Sequence, residues 1–236
     1  MAEMVWAKNT KTNEYGFYPL KKCRKVIKKA DMCFTDPPYN VCLKYGKYKD
    51  DKSKDDYIQF NKDWFSIAQM LSTKQIVFTG NINNKMWLKE FNPDYVGIWD
   101  KGDGATTHGY ITNYTAWEPI FFHGKYKRKR HTDVFRIAAG GSVGIKHACP
   151  KPIKLLIDIL NNFSEQDNNI LDLFGGSGST LIACEKINKH CFVMEIDELY
   201  IDVIVQRWVK YMIESGKQSE IIIKKNGKII DYKELM

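Results

Sequence analysis

The sequence predicts an α/β fold with an open, mostly parallel sheet. Three apolar stretches, around Phe34, Leu171 and Val193, each run into an acidic or glycine-rich segment. Helical spacing of apolar residues follows the second and third stretches, at 181–187 and 199–213. Ligands of open α/β sheets bind beyond the carboxyl ends of the strands. We therefore expect the three segments to share one binding edge.

The first segment, 35–40, reads Thr-Asp-Pro-Pro-Tyr-Asn. Each proline fixes its own φ and pushes the preceding residue toward extended geometry, so Asp36 and Pro37 are not helical. The carbonyls of Asp36 and Pro37 stay free to accept hydrogen bonds, and Tyr39 adds an aromatic face. A carboxylate, a carbonyl and a ring on a rigid turn predict a binding site for a planar group that bears an amine. An ordinary strand-ending turn is the alternative.

The chain between and after the three segments predicts further strands and helices. The prolines help to place them, because Pro119 favours an edge or bulged strand and Pro152 favours the first turn of a helix. The pattern predicts strands at 74–80, 95–99 and 116–122, helices through Trp87 and Leu88 and at 151–160, and a hairpin at 221–230 around Asn226 and Gly227.

The second segment is a glycine-rich loop between a short strand and a helix. Its glycines let a ligand approach the backbone closely, and its N–H groups and the helix N-terminus favour a negative or polar ligand group. The loop has neither the P-loop lysine nor the G-x-G-x-x-G spacing. A turn that binds no ligand is the alternative. The segment reads Asp172-Leu173-Phe174-Gly175-Gly176-Ser177-Gly178-Ser179-Thr180.

The third segment contains Glu195 and Asp197. An acidic residue about 20 positions beyond such a loop commonly accepts hydrogen bonds from ribose hydroxyls, and Glu195 lies in that range. An acid that caps the next helix is the alternative role for Glu195. Asp197 is placed to cap the helix that follows it.

The net charge of +8 favours a polyanionic partner. The densest basic run is 125–131, and contact with the phosphates of such a partner competes with a solvated surface as its role. A second basic cluster spans 21–29. The residues of the first run that we expect to contact phosphates are Lys125, Lys127, Arg128, Lys129 and Arg130.

The composition also narrows the class of protein. No apolar run approaches the roughly 18 residues needed to span a membrane, and Met1–Met4 shows no signal-peptide pattern. The six cysteines lack C-x-x-C spacing, so we expect reduced cysteines and no metal site. We expect a protein of the cell interior.

These motifs together resemble the S-adenosylmethionine-dependent DNA amino-methyltransferase family. Asp36-Pro37-Pro38-Tyr39 is similar to its catalytic motif, and 174–178 to its cofactor loop. His147–Pro152 keeps the His, the Lys and the last Pro of the family's His-Pro-Thr-Gln-Lys-Pro segment but differs at three positions between them. The catalytic motif precedes the cofactor loop, which is the circularly permuted order of the family's beta group.

The resemblance implies a single catalytic domain over 1–236 with a doubly wound, mostly parallel, Rossmann-like sheet and one antiparallel strand. It implies a target-recognition segment at about 124–146, and the hairpin signal adds a C-terminal unit at about 219–232. The implied catalytic residues are Asp36, Pro37, Pro38 and Tyr39. The implied S-adenosylmethionine-binding residues are Phe34, Asp36, His147, Lys151, Asp172, Phe174, Gly175, Gly176, Ser177, Gly178, Ser179, Thr180, Glu195 and Asp197.

The implied reaction is methyl transfer to the N6 amine of adenine in double-stranded DNA, because Asp at the first motif position mostly accompanies adenine in this family. N4-cytosine methylation, an RNA or protein amino-methyltransferase and a catalytically idle DNA-binding subunit remain alternatives. A homodimer and a cognate restriction endonuclease remain open as partners. The polar segment 41–56 is either a disordered surface loop or a lid over the site, and 101–113 is a second loop near it.

Overall fold

The computed structural model describes most of the chain. The described residues are 4–9, 14–19, 30–45, 48–102, 106–107, 114–126, 132–139, 150–225 and 228–235. Several sequence predictions therefore lie wholly or partly outside the described residues. They are the role of His147, the phosphate contacts of 127–130, the basic cluster at 21–29, most of the loop 101–113, about half of the recognition segment 124–146 and the turn 226–227.

The described residues form one eleven-stranded sheet and two short two-stranded ladders. The short strands β4 and β5 pair with each other, as do β8 and β9. The strands are β1 Met4–Asn9, β2 Glu14–Pro19, β3 Met32–Thr35, β4 Lys44–Tyr45, β5 Tyr48–Lys49, β6 Gln75–Phe78, β7 Tyr95–Asp100, β8 Thr106–Thr107, β9 Tyr114–Thr115, β10 Trp117–His123, β11 Val134–Arg136, β12 Asn169–Asp172, β13 His190–Met194, β14 Ile223–Lys225 and β15 Lys228–Ile230.

The order of the main sheet is β11-β7-β10-β6-β3-β12-β13-β1-β2-β14-β15. In its central seven strands, from β11 to β13, only β10 runs antiparallel to the rest. The N-terminal strand β1 and the last strand β15 also pair antiparallel with their neighbours. The structure thus confirms the predicted α/β fold with a mostly parallel sheet.

In the part of the chain that the structure describes, five helices cover the two faces of this sheet. The same part contains three 3-10 turns between or after the larger elements: Asn81–Asn83, Gln218–Glu220 and Tyr232–Leu235. The helices are α1 Lys54–Leu71, α2 Asn84–Phe91, α3 Ile153–Phe163, α4 Ser179–Lys186 and α5 Glu198–Glu214.

Alternate residues of the central strands enter two hydrophobic cores, because successive side chains of a strand point to opposite faces. Phe34 and Phe78 belong to the core that includes α3, α4 and α5. Cys33 and Val77 belong to the core that includes α1 and α2. Burial of both sheet faces explains why the central strands read as continuous apolar runs rather than alternating ones. The sheet is therefore doubly wound.

The prediction that Pro119 marks an edge or bulged strand was wrong in placing the strand at an edge. Strand β10 pairs with β6 on one side and β7 on the other. The ladder with β6 begins only at Ile120, and the Pro119 carbonyl accepts from the Thr79 N–H just beyond β6. The Ile98 N–H opposite Pro119 donates toward β11, to the Asp133 carbonyl. The missing N–H of Pro119 therefore costs no bond to β7, and toward β6 it falls beside Thr79, where that ladder ends.

The chain after β3 is more regular than the sequence suggested. In 41–56, the described residues form the β4–β5 ladder and the first turn of α1, which Ser53 caps by accepting from the Asp56 N–H.

The predicted C-terminal hairpin corresponds to the antiparallel pair β14 and β15. Among the described residues, no helix is long and apolar enough to cross a membrane.

Candidate active site

The three polar segments singled out in the sequence lie at one edge of the sheet. Strand β3, which ends at Thr35, and β12, which ends at Asp172, are parallel neighbours, and β13 lies beside β12. The Thr35 Oγ1 hydroxyl donates to Asp172 Oδ1 at 2.7 Å and accepts from the Leu173 N–H at 3.2 Å. These two bonds link the Asp36 turn directly to the start of the glycine loop.

Hydrogen bonds from side chains of α1 and of the 3-10 turn before α2 hold the backbone of the Asp36–Tyr39 turn. The Tyr57 hydroxyl donates to the Pro38 carbonyl at 2.8 Å. The Asn83 amide Nδ2 donates to the Tyr39 carbonyl at 2.7 Å and lies 3.2 Å from the Tyr57 hydroxyl. The turn is therefore fixed in place before any ligand binds.

The buried Asp50 carboxylate orders the residues just after the turn. It accepts from the backbone N–H groups of Asn40, Val41 and Leu43 at 2.8, 2.9 and 3.2 Å. Burial raises the pKa of Asp50, and these three hydrogen bonds oppose that rise. Asn40 has φ +57°, a left-handed conformation that asparagine tolerates. In the described part of 41–56, this clamp argues against the disordered loop that the sequence allowed.

The Tyr39 ring lies against Gly80. A Cβ atom at Gly80 would stand 2.7 Å from Tyr39 Cδ2, closer than real Cβ contacts. The backbone of Gly80 is extended, with φ −66° and ψ 146°, so the constraint on this position is space rather than conformation. Glycine at the end of β6 thus makes room for the aromatic ring of the turn.

A cluster of charged groups surrounds the turn. The Lys151 ammonium lies 2.6 Å from Asp36 Oδ2, 3.0 Å from the Tyr39 hydroxyl and 3.5 Å from Glu118 Oε2. The Tyr39 hydroxyl lies 2.6 Å from Asp36 Oδ1 and 3.1 Å from Glu118 Oε2, and it can donate to one of them at a time. Burial, together with the charges of Asp36 and Glu118, raises the pKa of Tyr39 well above its usual value.

The cluster continues to a second lysine. The Lys101 ammonium lies 2.6 Å from Glu118 Oε1, and both side chains are buried. Burial opposes ionisation of Glu118, but Lys151 and Lys101 outweigh it and lower the pKa of this carboxyl. Two carboxylates and two ammonium groups therefore balance one another beside Tyr39.

Aromatic rings complete the wall around Lys151. Its ammonium lies 5.2 Å from the centroid of the Tyr39 ring, 5.4 Å from that of Phe78 and 5.7 Å from that of Trp99. Cations within about 6 Å of a ring face are attracted by its quadrupole. The rings add to the two carboxylates in holding the buried ammonium.

The glycine loop packs tightly on β13 and α5. A Cβ at Gly175 would stand 2.4 Å from Val193 Cγ1, and one at Gly178, whose φ is +81°, would stand 3.1 Å from Ile204. The Arg207 guanidinium donates to the Ser177 carbonyl. Helix α4 begins immediately after Gly178, so its first N–H groups lie at the binding edge.

Glu195 and Asp197 hold the chain at the end of β13. Glu195 Oε2 accepts from the Gly176 N–H at 2.7 Å, and Oε1 accepts from the Ile196 and Asp197 N–H groups at 2.8 and 2.9 Å. Burial raises the pKa of Glu195, and these three hydrogen bonds oppose that rise. The Asp197 side chain caps α5 by accepting from the Leu199 N–H, as its position in the sequence suggested.

Asp172 is a buried acid at the centre of the edge. Burial raises its pKa to about 7, while hydrogen bonds from Thr180, Thr35 and the Phe174 N–H lower it and the charge of Asp36 raises it.

The side chain of Phe34 is only 1% exposed, and its ring packs edge-on against Phe78 at 5.5 Å between centroids. Its ring therefore has no surface left for a cofactor.

Several polar residues of this site were missed in the sequence. Glu118 lies in an otherwise apolar strand and Lys101 directly follows one, and a charge in such a place was the signal that could have found them. Tyr57 and Asn83 gave no such signal. Of the basic run, the structure describes Lys125 and Tyr126, and Lys125 is exposed.

Part of the chain matches a protein-family model. Residues 106–206 match the family model described as DNA methylase. The type II methyltransferase M2.MboI of Moraxella bovis is 23% identical over 218 residues, which are 75% of this chain and 80% of that protein.

Solved structures of low sequence identity share the fold. The M1.HpyAVI–SAM complex matches with a TM-score of 0.59 and 16% identity, over 79% of this chain and 96% of that one. The PvuII DNA methyltransferase, described as cytosine-N4-specific, matches with a TM-score of 0.61 and 15% identity, over 80% of this chain and 84% of that one.

Proposed function

We propose that the chain is an S-adenosylmethionine-dependent DNA amino-methyltransferase and that it methylates the exocyclic N6 amine of adenine in double-stranded DNA at a specific sequence. The single observation that carries this proposal is the Thr35–Asp172 hydrogen bond of 2.7 Å. It joins the acidic Pro-Pro-Tyr turn to the glycine loop, so an amine at Asp36 and a methyl donor on the loop would meet at one point.

The residues at the edge fit S-adenosylmethionine, which supplies an electrophilic methyl group on a sulfonium centre. The N–H groups at the start of α4 and of the loop would hold its polar groups. Glu195, which has three backbone bonds on about four lone-pair sites, keeps capacity for a ribose hydroxyl. We assign the remaining cofactor contacts to the backbone around Phe34, the loop 172–180, Asp197 and the segment from His147 to Lys151.

The turn would hold the target amine. We infer that Asp36 and the Pro37 carbonyl accept its two hydrogens and draw the nitrogen out of conjugation with the ring. Its lone pair then points at the methyl group. The carbon–sulfur bond would break as the carbon–nitrogen bond forms, the sulfonium would leave as a neutral thioether, and the nitrogen would release one hydrogen as a proton to Asp36 or to solvent. The transfer needs no covalent bond to the enzyme. Alignment of two bound reactants contributes much of the acceleration in such reactions.

The target base would have to leave the duplex. A paired and stacked amine cannot reach a turn at the sheet edge, so we propose that the base flips into the site at a cost of a few kcal/mol. Stacking on the Tyr39 ring would return about 1–3 kcal/mol. The rings that face Lys151 line the space beside it.

Adenine is the proposed base because the first motif residue is Asp36. This preference is an association within the family, since both amines offer the same two hydrogens. The N4 amine of cytosine is the alternative target, because a cytosine-N4-specific enzyme is among the structural neighbours. We also propose that residues 1–236 act as one catalytic domain inside the cell, alone or as a homodimer, with a restriction endonuclease as the candidate partner.

Tritium transfer from labelled S-adenosylmethionine to DNA, RNA and protein acceptors tests the function. We expect label in unmethylated double-stranded DNA, and digestion to nucleosides should give N6-methyladenine. N4-methylcytosine would replace the adenine assignment, and label only in RNA or protein would overturn the DNA assignment. Single-molecule sequencing of DNA from an expressing host then gives the sequence context.

A further inference from the structure

Both carboxylate oxygens of Asp36 already have a hydrogen-bond donor before any substrate arrives. Its Oδ2 is 2.6 Å from the Lys151 ammonium, and its Oδ1 is 2.6 Å from the Tyr39 hydroxyl. The proposed reaction needs an Asp36 oxygen to accept a hydrogen from the target amine. At least one of these two donors must then move or share its acceptor.

Glu118 offers the same two donors a second carboxylate. Its Oε2 lies 3.5 Å from the Lys151 ammonium and 3.1 Å from the Tyr39 hydroxyl. Each donor thus lies between Asp36 and Glu118 and is closer to Asp36. A shift of less than about 1 Å would bring the ammonium into normal hydrogen-bond range of Glu118.

Lys101 keeps Glu118 in this position. Its ammonium engages the other oxygen, Oε1, at 2.6 Å, and the two side chains are 3% and 9% exposed. With Lys101 on Oε1, the free side of Oε2 faces Lys151 and Tyr39. Moving Lys151 to Glu118 would also leave every buried charge of the cluster with a partner, which avoids the large penalty of an unpaired buried charge.

We propose that Glu118 is a positioning residue that takes the Lys151 ammonium and the Tyr39 hydroxyl from Asp36 when the target amine binds. This rests on the proposed methyl transfer and adds to it the way in which Asp36 is freed. Lys101 anchors Glu118 during the exchange. No bond other than hydrogen bonds changes, and no proton leaves the cluster.

A mutant cycle between Glu118 and Lys151 tests the exchange. The variants are Glu118→Gln, Lys151→Met and the double variant, with Glu90→Gln as the matched control, because Glu90 pairs with Lys62 on the surface. Each is measured for single-turnover methyl transfer to host DNA at saturating S-adenosylmethionine, for cofactor affinity by calorimetry and for melting temperature.

We expect Glu118→Gln to slow transfer about 10- to 100-fold, the effect of one charge-assisted hydrogen bond, with cofactor affinity unchanged. Lys151→Met should slow the enzyme that keeps Glu118. In the Glu118→Gln enzyme, the Lys151 ammonium has no second carboxylate to move to and stays on Asp36, so Lys151→Met should speed up transfer there. This reversal of sign is the diagnostic result, since a purely structural Glu118 would make both losses add.

Two results would overturn the exchange: transfer by Glu118→Gln within twofold of the Glu90→Gln control, or a double variant slower than Glu118→Gln. If Glu118→Gln does not fold, Glu118→Gln with Lys101→Met removes both charges of the buried pair and takes its place in the cycle. A wild-type enzyme that methylates no DNA would refute the proposed function itself, whereas an active wild type with additive losses would refute only the exchange.

Discussion

The Lys151 ammonium lies 2.6 Å from Asp36 Oδ2, although 115 positions separate the two residues in the chain. Asp36 follows β3, and Lys151 precedes α3, which packs in the core on one face of the sheet. The contact therefore couples the Asp36 turn to the segment that resembles the family's His-Pro-Thr-Gln-Lys-Pro motif. It also means that substitutions at Asp36 disturb a buried lysine as well as any amine that the turn would bind.

Replacing Asp36 by Asn should abolish methylation and leave cofactor affinity within a few-fold. The lost negative charge acts on the target amine, so its effect falls on the transition state rather than on cofactor binding. Asn keeps the size of the side chain and an oxygen for Lys151, which makes it a milder change than Ala. Turnover is measured by label transfer and affinity by calorimetry, and near-normal turnover would contradict the role assigned to Asp36.

Replacing Gly80 by Ala should slow methyl transfer without weakening cofactor binding. The new methyl group would stand 2.7 Å from Tyr39 Cδ2 and must push the ring aside. In a Tyr39→Ala background the same substitution should have little further effect, because the ring that it displaces is gone. Equal losses in both backgrounds would show that Gly80 acts on something other than Tyr39.

Replacing Glu195 by Ala should weaken S-adenosylmethionine binding by about 1.5–3 kcal/mol, the contribution of a charge-assisted hydrogen bond. Glu195 also accepts from Gly176, so a loosened loop would weaken binding too. Glu195→Gln removes the charge and keeps only part of the backbone bonding, because its one amide oxygen can accept either from Gly176 or from the Ile196 and Asp197 N–H groups. Unchanged affinity in both variants, measured by calorimetry, would leave Glu195 as a residue that only holds the backbone.

Asp172 should make the protein less stable as the pH rises toward neutrality. Its folded-state pKa is raised from 3.8 to about 7, so the folded protein binds more protons than the unfolded chain between these values. The stability that the protonated group contributes is complete below pH 3.8 and is lost as the pH rises through 7. At about 1.4 kcal/mol per pKa unit, the loss amounts to a few kcal/mol.

Urea unfolding at pH 5 and pH 8 measures this effect. Asp172→Asn should lose less stability between the two pH values than the wild type, because its side chain cannot ionise. Asp158→Asn, which removes an exposed partner of Lys154, is the control and should follow the wild type. Parallel pH dependence of the wild type and Asp172→Asn would contradict the raised pKa.

Neutralising a residue of the basic run should weaken specific and non-specific DNA binding together. Each lost phosphate contact should flatten the plot of log affinity against log salt by about 0.9, and the preferred sequence should stay the same. Lys125→Gln is the first variant, and Lys210→Gln on α5 is the control. An unchanged slope would indicate a solvated surface, whereas a changed target sequence would indicate a base contact from Arg128 or Arg130.

The sequence alone determined the local structures that hold the site. Prolines restrict the backbone of the Asp36 turn, and glycines allow the close packing of the 174–178 loop on β13, so both could be identified without knowledge of the rest of the chain. The apolar runs before them predicted buried strands, because a sheet covered on both faces needs no alternation. The common edge followed from the rule for ligand sites in open α/β sheets.

Only the tertiary structure decided which groups from elsewhere in the chain meet this edge. Glu118 reaches Tyr39 because β10 runs antiparallel between β6 and β7, which brings its first residues to the edge where its neighbours end. The same strand order makes β10 internal despite Pro119, since the missing N–H falls where the ladder to β6 ends rather than within it. Strand order depends on pairings between residues far apart in sequence, and no local pattern in the chain encodes it.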